Sequence, residues 1–223
     1  VGSAERMQEV LDIISSDDNQ KVVVLSAMSG TTSDLAVLSD LIKNGHKNEA
    51  LSKVSRLLNQ YEAVTHSLAL SERNTQSALD YVTEVFGMLS HLSKMPYTIA
   101  NERIILAQGE LLSTRLFHEL AQSAGLESNL LSALDFMRTD DQSDPDLLKI
   151  EQLLSSILGR SNPSNLYITQ GYICKNIHGE IDNLTRGGSD YSATIIGSVL
   201  KSEEIQIWTD IDGVHNNDPR IVK

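Results

Sequence analysis

Apolar residues in the first stretch fall at Met7, Val10, Leu11 and Ile14, the three- and four-residue steps of one helix face. Ser3 stands where it can cap that helix, because a serine oxygen accepts from an unpaired amide of the first turn. The period then changes. Residues 21–27 (KVVVLSA) form a short β-branched run that suits a strand buried on both faces. It breaks into the small polar loop 28–33, and a helical pattern resumes at Asp34. From about 34 to 95 the pattern is helical almost throughout, rich in Leu, Ser, Glu and Asn and free of proline until Pro96. A further helix is predicted over 101–124, with Leu112, Leu116 and Leu120 at four-residue steps and Gly125 as its stop. Beyond it the pattern predicts a strand over 130–137, a polar loop over 140–146 and a helix over 147–158. A strand over 165–173 follows, then a loop over 174–189, a helix over 190–200 and a strand over 204–209.

Strands separated by helices of this length favour a parallel or mostly parallel sheet covered on both faces. The fold class is therefore α/β, a three-layer αβα sandwich. We divide the chain as one domain over 1–223, with a helical lobe inserted at about 34–95.

Composition narrows the function classes. Hydrophobic residues make up 40% and charged residues 22% of the 223 residues, an ordinary globular balance. The net charge of −12 disfavours a nucleic-acid partner, which needs a clustered basic face. It leaves room for a single nucleotide held by local dipoles. Cys174 is the one cysteine, which excludes an internal disulfide, reads as a small buried hydrophobe and makes a cytoplasmic setting the simplest. No apolar run approaches the roughly 18 residues of a membrane span.

Three segments carry candidate chemistry. The first is 26–32 (SAMSGTT), a small-residue loop between a strand and a helix, a common way of aiming amides at an anion but also a common structural turn. The second, 185–190 (TRGGSD), joins two adjacent glycines to a helix start. Its Arg186 offers a fork for a carboxylate or phosphate or forms a surface ion pair, and Ser189 or Asp190 also suits a helix cap. The third, 208–220, brings Thr209 and Asp210 to the carboxyl end of a predicted strand, where open α/β sheets bind ligands. P-loop and dinucleotide-binding fingerprints are absent, and His118-Glu119 lacks the second histidine of a zincin motif. From the residues alone the reading stops at an α/β protein with a possible anion site.

Taken together, VVVLSAMSGTTSDL, GELLSTRLF (109–117), TQGYI, LTRGGSDYSAT and IWTDIDGVHNNDPRIV resemble the motifs of aspartate kinases, in the same order and at similar spacing. The resemblance covers essentially the whole chain. It implies transfer of the γ-phosphoryl group of ATP, with Mg²⁺, to the side-chain carboxylate of L-aspartate, the first step of lysine, threonine and methionine biosynthesis. Carried over by position, Arg186 holds the substrate α-carboxylate and Glu110 its α-ammonium. Ser26, Thr32 and Ser189 lie along the substrate, and Asp190 is the catalytic aspartate. Gly187, Gly188, Thr209, Asp210 and Arg220 hold the nucleotide. His215 stands where relatives carry tyrosine, which puts its nucleotide contact in doubt.

The resemblance also implies a homo-oligomer for the full-length protein and a K-F-G-G-T-S strand and loop just before Val1, whose lysine contacts the transferred phosphate. The chain as given is accordingly expected to have little kinase activity by itself. A glutamate or acetylglutamate kinase is the nearest enzymatic alternative, disfavoured by Glu110, Arg186 and the Thr209-Asp210 pair. A nucleotide-binding homologue without catalysis is the non-enzymatic one.

Overall fold

The structure, a computed structural model, describes residues 2–160, 164–184 and 188–208. Helix α1 (Ala4–Ile14) begins where the pattern predicts: Ser3 Oγ accepts the Arg6 amide, and Met7 and Leu11 are buried. Strand β1 (Lys21–Leu25) is shorter than expected and ends before Ser26. The predicted helical stretch resolves into α2 (Thr31–Lys43), α3 (Lys47–Ser67) and α4 (Glu72–Leu92). Helix α2 starts at Thr31 rather than Asp34, so Thr32 belongs to its first turn. Helix α5 (Ile99–Ser123) is capped by Thr98 Oγ1, which accepts the Asn101 amide, and stops before Gly125. After α5 come β2 (Ser128–Leu131), the short α6 (Ala133–Phe136), α7 (Leu147–Leu158), β3 (Leu166–Gln170), β4 (Ile173–Lys175), β5 (Ile181–Asn183) and α8 (Gly188–Leu200).

The main sheet is parallel, in the order β1-β3-β2, and the long connections between its strands run through helices. Residue alternation along β1 explains how both faces are covered. Val23 and Leu25 face one apolar cluster, built with α1 to α5; Val22 and Val24 face a second, built with α6, α7 and α8. Strand β3 lies between the other two and is buried throughout, whereas β1 is mostly half-buried. The layered α/β class follows from these two clusters. Cys174 is fully buried in the second, where burial pushes its thiol up to about 12, so it packs as a small apolar side chain.

Four further predicted boundaries are corrected. Of the strand expected over 130–137 only 130–131 belong to β2, which starts at Ser128, because Ala133 turns into α6 with its amide donated to Gln170 Oε1 (2.8 Å). A short apolar run does not distinguish strand from helix by period alone. The expected strand over 165–173 is broken at Gly171 and Tyr172 into β3 and β4. The loop expected over 174–189 contains the antiparallel β4–β5 hairpin, whose turn is organised by Asn176 Oδ1 accepting the amides of His178 and Glu180. Residues 204–208 form no strand; Ile205 instead lies against α8, filling the space that a side chain at Gly197 would take. No helix among the described residues is long and apolar enough to cross a membrane.

Helix α5 carries buried residues in both clusters and is the element on which the packing turns. Phe117→Ala, at a fully buried position, is expected to lower unfolding free energy by about 3–5 kcal/mol. Leu148→Ala, 74% exposed on α7, is expected to change it by less than about 0.5 kcal/mol. Urea titration followed by circular dichroism measures both.

Candidate active site

The carboxyl ends of β1 and β3 are where the described chemistry gathers. Gly109 of α5 sits so close to the turn after β1 that a Cβ would lie 2.8 Å from the Ala27 Cβ and 3.4 Å from Thr31 Cγ2. Glycine is the residue that permits this approach. It brings the next side chain, Glu110, to the turn: Oε1 accepts the Ala27 amide at a long 3.4 Å. Ser113, one helical turn on, donates from Oγ to the Ser26 carbonyl (2.7 Å) and clamps the same turn from below.

Glu110 is only 4% exposed, and its Oε2 has no hydrogen-bond partner among the described residues. Ser39 Oγ and Thr169 Oγ1 are likewise buried and unpartnered, but neither ionises near neutral pH. Burial is the main influence on Glu110 and pushes its pKa up to about 7, against a smaller lowering from backbone hydrogen bonds that include the Ala27 amide. A buried carboxylate with a free oxygen is expensive unless a cation meets it.

Beneath this turn, Thr31 Oγ1 and the Tyr61 hydroxyl share a hydrogen bond (2.9 Å), and Lys53 ion-pairs with Asp34 in the first turn of α2. Burial pushes the Tyr61 phenol up to about 12, so it stays protonated. Thr114 donates to the Glu110 carbonyl and accepts from Gln170 Nε2, both at 2.8 Å, which ties α5 to the end of β3.

On the other side, Gly171 donates its amide to the Leu25 carbonyl (3.0 Å) and so closes the β1–β3 edge. A Cβ at Gly171 would lie 2.4 Å from both Cβ and Oγ of Ser189, so the start of α8 is pressed onto the strand end. Tyr172 takes a left-handed backbone (φ 65), which costs a non-glycine residue about 1–2 kcal/mol. Two hydrogen bonds hold it there: its amide donates to Ser192 Oγ, and its carbonyl accepts the Leu184 amide, each at 2.8 Å. The site thus sets a buried carboxylate on one side of the strand ends and a helix N-terminus, with its partial positive charge, on the other.

Across residues 1–223 the chain matches the profile of the Amino acid kinase family. It belongs to that family. Its sequence is 30% identical over 231 residues to the lysine-sensitive aspartokinase 3 of Escherichia coli and 32% identical over 240 residues to the chloroplastic aspartokinase 1 of Arabidopsis thaliana. Each alignment takes in the whole chain, but 49% and 40% of those proteins; the chain spans about half the length of the curated relatives it matches, or less. The crystal structure of E. coli aspartokinase III with lysine and aspartate superposes with a TM-score of 0.85 at 29% identity, over 99% of this chain and 49% of that one. The same enzyme with aspartate and ADP gives a TM-score of 0.79 at 29% identity, with the same coverage of both chains.

Within this amino acid kinase domain, the structure brings Ser26, Glu110 and Ser189 to the ends of β1 and β3. Thr32 is exposed on the first turn of α2, and Asp190 is exposed on the first turn of α8, next to Gly188. Arg186, Gly187, Thr209, Asp210, His215 and Arg220 lie outside the described residues. A separate polar cavity of about 410 Å³ is lined by Arg73, Ser77, Arg115 and Glu119 of α4 and α5 and includes none of the predicted site residues. Its central charges are already satisfied by the Arg115–Glu119 pair (2.8 Å).

Sequence reasoning did not single out Ser113, Tyr172 or Ser192. Ser113 carried one visible signal, a polar residue three positions after Glu110 and so on the same side of a predicted helix. The left-handed turn at Tyr172 had none.

The folded chain holds the Glu110 proton up to about pH 7, whereas an ordinary glutamate releases it near 4.5. The fold is therefore penalised as pH rises between these values. Glu110→Gln is expected to leave stability nearly unchanged below pH 4.5 and to raise it by on the order of 2–3 kcal/mol at pH 8. Thermal melts across pH 4–8 measure this difference.

Proposed function

We propose that the protein transfers the γ-phosphoryl group of ATP to the side-chain carboxylate of L-aspartate, giving 4-phospho-L-aspartate and ADP. The observation that carries this reading is the unpartnered, buried Oε2 of Glu110 at the strand ends. Such an oxygen is a receptor for an ammonium group. The α-ammonium of aspartate supplies the missing cation, and Glu110 ionises when it arrives. The relatives named aspartokinase, one of them solved with aspartate and ADP, support the choice of acceptor and donor.

In the reaction a carboxylate oxygen of aspartate attacks the γ-phosphorus. The new O–P bond forms as the bond to the β,γ-bridging oxygen breaks, and that electron pair leaves on ADP. The attacking carboxylate and the phosphates repel one another, so the protein's task is alignment and charge compensation. Ser26, Thr32 and Ser189 line the amino acid, Arg186 takes its α-carboxylate, and Asp190 positions the reacting groups. Gly187, Gly188, Thr209, Asp210 and Arg220 hold the nucleotide, Gly188 from the first turn of α8.

For Mg²⁺, the described residues contain no group of three or more histidine, cysteine or acidic side chains able to hold a metal. The fit is to an ion carried mainly by the nucleotide's phosphates, with the exposed Asp190 as the protein carboxylate nearby. When bound, the ion neutralises phosphate charge.

The test is ATP-dependent acyl phosphate formation by the full-length protein, trapped with hydroxylamine, against aspartate, glutamate and N-acetylglutamate. Turnover with aspartate alone is expected; preference for either of the others overturns the assignment.

Because the ammonium binds only ionised Glu110, KM for aspartate is expected to rise as pH drops below 7, approaching about tenfold per unit, and to level off above 7. KM for ATP should stay nearly flat over the same range. Steady-state kinetics between pH 6 and 8 measures both.

A further inference from the structure

We propose that Ser192 is a positioning residue for phosphoryl transfer, setting the start of α8, with Ser189 and Asp190, against the end of β3. The inference rests on the functional reading above and concerns a side chain that touches neither proposed substrate. Ser192 is fully buried in the first turns of α8. Its Oγ accepts the Tyr172 amide at 2.8 Å and donates to the Gly188 carbonyl at 3.3 Å. One hydroxyl therefore joins the strand end to the opening residue of the helix.

Two features make this join more than ordinary packing. Tyr172 is in the left-handed region, which a residue with a side chain keeps only when its surroundings hold it there. Ser192 supplies the hold on its amide and Leu184 the hold on its carbonyl. The neighbouring Gly171 leaves no slack, since a Cβ there would overlap Ser189. Ser189 and Ser192 are three residues apart and so share a helix face, which they turn toward the strand end. Asp190, one residue round from that face, remains exposed for ligands. Without the hydroxyl, Tyr172 is free to relax to negative φ, and the start of α8 loses its register on β3. Small displacements of aligned groups have large effects on rate, since near-attack geometry is what alignment provides.

The experiment uses the full-length protein and Ser192→Ala, a smaller residue that leaves the helix intact. The expected result is a fall in kcat of about tenfold or more, larger than any accompanying rise in KM for ATP. Amide hydrogen exchange should quicken at Tyr172 and in the first turn of α8 while α4 and α5 keep their protection. A kcat within twofold of the unsubstituted protein overturns the inference and leaves the proposed function standing. So does a fall in kcat with Tyr172 exchange unchanged, or one matched by an equal loss of ATP affinity. If the unsubstituted protein forms no aspartate-dependent acyl phosphate, the functional reading has failed and the inference falls with it.

Discussion

The close approach of α5 to the turn after β1, where Gly109 leaves room for no side chain against Ala27, is the constraint on which the site depends. That contact carries Glu110 out of water and up to the strand ends. It also places Ser113 under the Ser26 carbonyl and Thr114 within reach of Gln170, so the helix, both strand ends and α6 are joined by short hydrogen bonds. A larger residue at Gly109 would push the helix away, and the carboxylate would become an ordinary exposed helix acid.

This arrangement holds an unfavourable group in place. Glu110 Oε1 accepts a long hydrogen bond from the Ala27 amide, and its second oxygen has no partner among the described residues. Stability alone does not account for that, because a neutral side chain would sit there with less penalty. A ligand that brings a positive charge relieves the penalty on binding. The strained backbone at Tyr172 belongs to the same pattern: a costly conformation at the strand ends, held by hydrogen bonds to Ser192 and Leu184.

The opposite half of the site uses a different device. The start of α8 is pressed against Gly171 and pinned through Tyr172, which aims a helix N-terminus across the strand ends from Glu110. A buried carboxyl group on one side favours positive charge there, and the partial positive charge of the helix start on the other favours anions.

Much of this was legible from the order of residues. The cap at Ser3, the stop at Gly125, the β-branched run of β1 and the helical pattern of α3 and α4 are local choices, made by side chains acting on their own backbone, and they appear in the structure with shifts of a few residues. Glu110, Ser189 and Asp190 were picked out through resemblance to aspartate kinase motifs, since periodicity shows Glu110 only as one more helix carboxylate. Three things waited for the tertiary structure: the burial of Glu110, the break at Tyr172 that divides one predicted strand into two, and the β4–β5 hairpin where a loop was expected. The first two are set by contacts between separate segments: Gly109 with Ala27, Gly171 with Ser189, Tyr172 with Ser192 and Leu184. A local pattern fixes a helix or strand within its own turn or pleat; the environment of a carboxylate and the handedness of one residue are decided by what packs against them.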